Sequence, residues 1–322
     1  MRDPDLTVII PAFNAAPTIS RVLHGLWTQR REVPHAVIVV DDGSGDETPT
    51  RVADAVRQYG RDYLTLVAQE HRGSASARNA GARASHTPLL LFFGADILPR
   101  PCCLKRHRSV HAQFPDPAVG CVGFVTWDPS LPPTPFMVFL EHGGPQNAYG
   151  DIAGCRWVSP QKFFYGSNLS LKRSMFDRAG GFDERHFSTY GWEDLELGVR
   201  LTQHHFRLYY EPTARGDHAH RVTVPLAERR MRAVGRGART FRMLHPTIGV
   251  LDWSRERTLR PLRQWCFPRP LRVALSWVAT EAENSFVLPR LYQRVLSLAF
   301  YDGVHGSVER TDEIVDKYQK SP

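Results

Sequence analysis

The chain predicts an α/β protein: a mostly parallel central sheet with helices on both faces, followed by a C-terminal helical region. Three observations predict it. Short apolar runs alternate with helix-period segments from residue 6 to residue 93, the pattern of strands joined by crossover helices. Acids and glycines collect just past the ends of those runs, where ligands bind in such sheets. After residue 220 the chain turns Arg-rich, with apolar residues at helical spacing.

Leu6 to Ile10 and Ala36 to Val40 are short, nearly continuous apolar runs of the kind buried on both faces of a sheet. Between them, Ile19, Val22, Leu23, Leu26 and Trp27 recur at helical spacing over residues 17–29. Asp46 reads as the N-cap of a helix from about 47 to 58, with Pro49 tolerated in its first turn. Leu64 to Ala68 is a third strand, Ala75 to Ala84 a small-residue helix and Leu89 to Phe93 a fourth strand. Residues 115–165, with Pro115, Pro117, Pro129, Pro132, Pro133 and Pro135 and then Glu141-His142-Gly143-Gly144-Pro145, read as a long irregular, functional loop. Helices are expected over 226–244, 271–288 and 291–301. The domain division is 1–220, α/β, and 221–322, basic and mainly helical.

At 322 residues the chain can bury a full core. No stretch approaches the eighteen or so apolar residues of a membrane span, and the N-terminus lacks the regions of a signal peptide. Five cysteines without a CxxC pair argue against a disulfide scaffold or a structural zinc, so a reducing, cytoplasmic setting is expected. Net charge is +8, and residues 221–272 alone hold thirteen Arg against three acids. Such a segment suits an anionic membrane surface, at the inner face of the membrane, or another polyanion. A solvated or packed helical face is the alternative. No nucleic-acid motif accompanies the charge, so nucleic acid is not expected as a partner.

The chemistry-bearing residues lie at the strand ends. Pro11-Ala12-Phe13-Asn14 follows the first strand and Asp41-Asp42-Gly43-Ser44-Gly45-Asp46 the second. Asp46 is turn and cap chemistry, whereas Asp42, just past a buried strand, is placed to accept hydrogen bonds from a base or ribose. Gly73 opens a helix beside Arg72 and Arg78, an arrangement suited to phosphate. The fourth strand stops at Phe93-Gly94-Ala95-Asp96, where a lone carboxylate can hold a hard cation against phosphate oxygens. Tyr190-Gly191-Trp192-Glu193-Asp194 sets two acids beside a Trp at an apparent helix start; favourable dipole partners are the plainer reading of such a pair.

Taken in order, VIIPAFN, VIVVDDGSGDET, HRGSASARNAG, LLLFFGAD, GSNLSLKRSMFDRAGGFDE and GWEDLELGVRL resemble a family 2 glycosyltransferase of the GT-A fold, across roughly residues 5 to 220. The resemblance implies a Rossmann-like sheet, a nucleotide diphosphate sugar donor, here a uridine one, and transfer with inversion. It implies an acceptor hydroxyl on a glycan, as in polysaccharide biosynthesis, on a lipid-linked saccharide or on a small molecule. Pro11, Ala12, Phe13 and Asp42 would line the base pocket, with Asp42 accepting from the uracil imide. Gly73, Arg78 and Ala95 would lie by base and diphosphate. Asp96 would hold Mn²⁺ or Mg²⁺ with His218 or, as the second choice, His220. Asp194 would be the catalytic base, Glu193 its support or an acceptor contact, and Gly191, Trp192 and Asn168 would meet acceptor or donor sugar. Asp183 would position the loop before Gly191. Tyr149, Trp157, Phe163, Phe164 and Tyr165 are either sugar-stacking faces or core. Gly94 departs from the family's Asp-x-Asp and puts the metal in doubt. A catalytically weak nucleotide-sugar binding protein is therefore the competing function, and a nucleic-acid binder ranks below it.

Overall fold

The computed structural model describes residues 4–142, 149–188, 190–248, 268–284 and 289–306. Contacts divide the chain into two units, Met1–Val222 with Asn284–Phe286, and Thr223–Glu283 with Val287–Pro322.

The first unit is a sheet of nine strands among the described residues: β1 (Leu6–Ala12), β2 (Ala36–Asp41), β3 (Leu64–Ala68), β4 (Leu89–Phe93), β5 (Ile97–Pro99), β6 (Val119–Trp127), β7 (Trp157–Val158), β8 (Asn168–Lys172) and β9 (Arg207–His218). The order is β3-β2-β1-β4-β8-β6-β9-β5, with β7 pairing β9. β3, β2, β1 and β4 run parallel, β8 is antiparallel between β4 and β6, and β6 and β9 are parallel again. The helices are α1 (Ile19–Gln29), α2 (Thr48–Tyr59), α3 (Ser74–Ala84), α4 (Cys103–Gln113), α5 (Pro135–His142), α6 (Pro160–Phe163), α7 (Arg173–Arg178) and α8 (Glu193–Thr202). Val8, Ile9 and Ile10 of β1 and Leu90 to Phe93 of β4 have no exposed surface. Burial on both faces is why these strands are continuous apolar runs rather than alternating ones.

Two sequence expectations are corrected. The cap of α2 falls on Glu47, although Asp46 does bond its first turn, accepting from Thr48 N at 2.9 Å. The region 115–165 is not irregular: it contains the nine-residue β6, the helices α5 and α6, a 3-10 turn at Tyr149–Ile152 and β7. Its prolines cluster on either side of β6, outside the strand, so counting them across the whole span concealed a central strand. Gly143, Gly144 and Pro145 lie outside the described residues.

The second unit holds α9 (Val224–Leu244), α10 (Arg269–Glu281) and α11 (Pro289–His305). Thr223 caps α9, its side chain accepting from Leu226 N at 3.4 Å. The arginines of α9 are not one solvated stripe. Arg229 and Arg239 are exposed, whereas Arg232 and Arg236 are half-buried and burial lowers the Arg236 guanidinium. Much of the Arg-rich segment, including Trp253 and Trp265, lies outside the described residues. Among the described residues no helix is long and apolar enough to cross a membrane.

Candidate active site

The site is assembled at the C-terminal ends of β1, β2 and β4 and at the start of α8. Past β4 the chain makes a turn in which Ile97 N donates to Gly94 O at 3.2 Å, and β5 then pairs antiparallel with the end of β9. This pairing carries Ala219 N to Asp96 O at 2.8 Å, so positions 218 and 220 flank the residue opposite Asp96 and share a face. The Asp96 Oδ2 atom is 3.3 Å from His218 Nε2 and 3.0 Å from His220 Nδ1, and the ligand atoms of all three residues lie within 4.8 Å of one another. Burial works against the Asp96 charge. The two imidazoles, His218 foremost, outweigh it and hold the carboxyl well below the usual range. Strand geometry brings both histidines, the first and the second choice, to Asp96.

Gly94 has a local explanation. A Cβ built there lies 2.7 Å from Ile97 Cγ1 and 3.0 Å from Asp96 Oδ1, and Ile97 is 1% exposed, fixed in the core. Restoring an acid by Gly94→Asp is therefore expected to cost about 1–3 kcal/mol of stability and not to tighten divalent-ion binding. Thermal melts and metal titration of the variant check this.

On the β1–β2 side, Phe13 stacks on His71 with ring centroids 4.1 Å apart and planes at 28°. Pro11 and Phe13 are partly exposed here. Ala12 is not a lining residue: it is 1% exposed, and its carbonyl accepts from Asp42 N at 2.8 Å. Asp42 is buried and engaged. Its Oδ1 accepts from Gln69 Nε2 at 2.6 Å and Arg72 N at 2.9 Å, its Oδ2 accepts from Gly73 N at 2.9 Å, and His71 Nδ1 lies 2.9 Å from Oδ2 while its hydrogen bond runs to the Asp42 carbonyl at 3.1 Å. Three donors and the His71 ring beside them occupy most of the carboxylate. Asp42 therefore folds the 69–73 loop, and a uracil imide would have to displace Gln69 or His71 to reach it. Gly73 is held at φ +90°, where any Cβ would lie 2.3 Å from Ser188 O, so only glycine closes this turn.

Arg78 also departs from expectation. Its guanidinium is engaged inside the protein: Nη1 donates to Glu193 Oε1 at 2.8 Å, and both side chains are about nine-tenths buried. Ser74 Oγ donates to the same oxygen at 2.8 Å. Glu193 Oε2 is buried without a hydrogen-bond partner. An unpaired buried carboxylate oxygen is costly. Next to it, Asp194 Oδ2 accepts from Gly166 N at 3.1 Å and Oδ1 from Leu195 N at 2.8 Å. Burial and the Glu193 carboxylate push Asp194 up to about 6, against the pull of Arg78 and the two N–H groups. Adjacent Gly94 N donates to Ser167 O at 3.0 Å, so one short segment, Gly166-Ser167, ties the acid pair to the end of β4.

The start of α8 is strained. Gly191 and Trp192 both have positive φ, +96° and +77°. For a tryptophan that costs about 1–2 kcal/mol, as at many functional turns. Asp183 accepts from Arg185 N and His186 N at 3.0 Å each, shaping the loop that leads here. Asn168 is corrected: it has no exposed surface, accepts from His107 Nε2 and donates to Ala214 O, each at 2.8 Å, so it cannot touch a sugar. Of the aromatics, Tyr149 and Phe164 are core, Trp157 is exposed but packs at the β7 edge with Phe114 and Tyr209, and Phe163, Tyr165 and Trp192 are partly exposed.

The family model described as Glycosyl transferase family 2 matches residues 7–178, just over half the chain. The chain belongs to this family. A second model, N-terminal domain of galactosyltransferase, matches 139–223. Validoxylamine A glucosyltransferase of Streptomyces hygroscopicus subsp. jinggangensis is 34% identical over 227 residues, 62% of this chain and 52% of that protein. Pre-mycofactocin glycosyltransferase of Mycobacterium tuberculosis is 30% identical over 253 residues, 75% of this chain and 48% of that one. The family 2 chain thus spans about half the length of these curated relatives. Among solved structures, a mannosyltransferase from Pyrobaculum calidifontis in complex with GDP-Man and Mn²⁺ matches with TM-score 0.54 at 21% identity, covering 98% of this chain and 80% of that one. S. aureus TarS 1–349 in complex with UDP matches with TM-score 0.52 at 14% identity, covering 93% and 89%. At these identities the likeness establishes the GT-A fold.

Sequence reasoning assigned no part to His71, Ser74 or Gly166 of this family 2 site. His71 and Ser74 stood inside the quoted motif HRGSASARNAG, but nothing in it said that the ring would stack on Phe13 or the hydroxyl reach Glu193.

Proposed function

We propose that the protein transfers a glycosyl group from a nucleoside diphosphate sugar to an acceptor hydroxyl, with inversion and with Asp194 as general base. The observation that carries this reading is the raised carboxyl of Asp194, tied through Gly166-Ser167 to the β4 end that presents Asp96, His218 and His220. A base with its pKa near the working pH takes a proton efficiently. In the step proposed, the acceptor O–H proton passes to an Asp194 oxygen as the acceptor oxygen bonds to the anomeric carbon. The bond from that carbon to the diphosphate breaks, and the nucleoside diphosphate leaves with the electron pair. Charge on the anomeric carbon is oxocarbenium-like, as in glycoside hydrolysis. Glu193, held by Arg78 and Ser74 through its Oε1, would support the base from the neighbouring position.

Asp96, His218 and His220 would hold a divalent cation. Two imidazoles among three donors disfavour Mg²⁺, which prefers oxygen ligands, and favour a transition-row ion such as Mn²⁺. When bound, the ion would offset the negative charge growing on the leaving diphosphate. The Mn²⁺ in the mannosyltransferase complex supports this assignment.

A uridine donor is supported by the UDP complex of one neighbour, and a guanosine donor by the GDP-Man complex of another. With Asp42 occupied by its own loop, Gln69 and His71 are the groups that meet a base edge. The acceptor is a hydroxyl of a small molecule, a glycan or a lipid-linked saccharide. The relative named for validoxylamine A favours the first. A cytoplasmic setting is supported by the free cysteines among the described residues, Cys102, Cys103, Cys121 and Cys155.

The test is nucleotide release from a panel of nucleoside diphosphate sugars, with and without Mn²⁺. Release from one donor that requires the ion supports the transferase and names the donor. No binding of any nucleotide overturns the reading. With that donor, the rate is expected to fall below pH about 6 with the slope of one proton, because the base works only when ionised and Asp194 is protonated below its pKa. A rate independent of pH between 5 and 8 would contradict this assignment.

A further inference from the structure

Two adjacent acids open α8, yet only one can be the base, and nothing in their sequence order decides which. The structure separates them. Glu193 is met by a buried cation and a hydroxyl, Arg78 Nη1 and Ser74 Oγ, both at 2.8 Å and both carried by α3. Asp194 is met by two backbone N–H groups, of Gly166 and Leu195. An ionised carboxylate is favoured by an opposite charge within about 4–6 Å and by hydrogen bonds to its oxygens. Arg78 can hardly serve elsewhere. It is 8% exposed, its guanidinium carbon lies 5.3 Å from the Phe182 ring centroid, and a Cβ on Gly166 would touch it at 3.1 Å.

We propose that Arg78 is a positioning residue for the base: by neutralising Glu193 inside the protein, it leaves Asp194 as the carboxylate that takes up the acceptor's proton. This rests on the reading of Asp194 as base. The buried pair also ties the first turn of α8 to the first two turns of α3, so the same contact fixes where Asp194 stands. The charged and titratable groups around Asp194 are few. Glu193, Glu196 and Arg200 share its helix, and Glu196 and Arg200 pair with each other at 2.7 Å. Arg78 comes from α3, Tyr149 from the 3-10 turn, and Lys162, exposed, from α6, which packs on α8. Burial raises the Tyr149 phenol well above its ordinary range, so it stays neutral throughout the working pH. Glu193 and Arg78 are therefore the neighbours whose charge Asp194 feels, and they act with opposite sign, as the raised proton affinity of Asp194 reflects.

The experiment is the pH dependence of single-turnover nucleotide release with the donor found above, for wild type, Glu193→Gln, Arg78→Lys, Arg78→Met, the double variant Arg78→Met/Glu193→Gln, and Asp194→Asn. Removing the negative neighbour in Glu193→Gln is expected to move the acid limb down by about one pH unit. Removing the cation in Arg78→Met is expected to move it up, Arg78→Lys by less. The double variant is expected to return towards wild type, which a merely structural loss would not do. If Arg78→Met does not fold, as circular-dichroism melts would show, Arg78→Lys and Glu193→Gln still carry the test. An acid limb that disappears in Asp194→Asn but stays in place in all the other variants overturns the proposal and leaves the base assignment standing. A limb that persists in Asp194→Asn and is lost in Glu193→Gln overturns both.

Discussion

Asp194→Asn is expected to lower kcat by about 10²–10⁴-fold, the usual contribution of a general base, while leaving donor affinity close to wild type. Asparagine keeps the shape and one acceptor oxygen for Gly166 N or Leu195 N, so the loop and the start of α8 should hold. It cannot accept the acceptor's proton. Folded stability should behave oppositely to activity. The carboxyl is raised to about 6 in the folded protein, above its value in an unfolded chain, so its ionisation is a cost to folding. That cost sets in above the ordinary carboxylate range and is complete above pH about 6. At neutral pH, Asp194→Asn is therefore expected to melt no lower than wild type. Kinetics at saturating donor, donor binding by calorimetry and thermal melts at pH 7.5 measure the three quantities. An inactive, donor-binding, equally stable variant distinguishes an enzyme from a nucleotide-sugar binding protein, for which the substitution should change nothing measurable. Turnover within a few-fold of wild type would move the base elsewhere.

The first four strands were legible as apolar runs, β1, β2 and β4 because burial on both faces leaves no room for polar alternation: β3 and β4 begin and end where the apolar runs do, and β1 and β2 run on by a residue or two. What escaped were β5, β7, β8, β9 and, inside a span read as irregular, β6. Its sequence, VGCVGFVTW, carries two glycines and lies between proline clusters. Gly123 is there because a Cβ would lie 2.2 Å from Ala214 O and 2.3 Å from Asn168 Nδ2, a contact made by residues far apart in the chain. The site divides on the same line. Asp96 and Asp194 were legible as acids at a strand end and a helix start. The occupations of Asp42, Arg78 and Asn168 were not, because each is decided by a partner from another element: Gly73 and Gln69, Glu193, and His107 with Ala214. A motif shows which side chains are present; only the packed chain shows which of their hydrogen bonds are already used.

The metal side gives the second large effect. Asp96→Ala is expected to weaken Mn²⁺ binding to the protein beyond detection at micromolar ion and to lower kcat/KM by about 10²–10³-fold, the scale of losing one electrostatic stabiliser of a charged transition state. Asp96 supplies the one carboxylate of the cluster and accepts from both histidines. With it gone, two imidazoles remain, with centroids 4.2 Å apart, and no carboxylate to hold a dication. His220→Ala tests the point on which the family pattern gave no guidance. Gly94 leaves this chain without a first acid, and His220, just past the β5–β9 pairing, is the third side chain brought to Asp96. If His220 is a ligand, His220→Ala loses Mn²⁺ affinity roughly as His218→Ala does, whether or not an acceptor is known, because the readout is ion binding by calorimetry or by Mn²⁺ electron paramagnetic resonance. If His218→Ala alone loses the ion, the site has two protein donors, and His220 serves only to hold Asp96 through its 3.0 Å contact. That outcome predicts a different metal preference. With a single imidazole the site no longer disfavours Mg²⁺, and the two ions should then support nucleotide release about equally well.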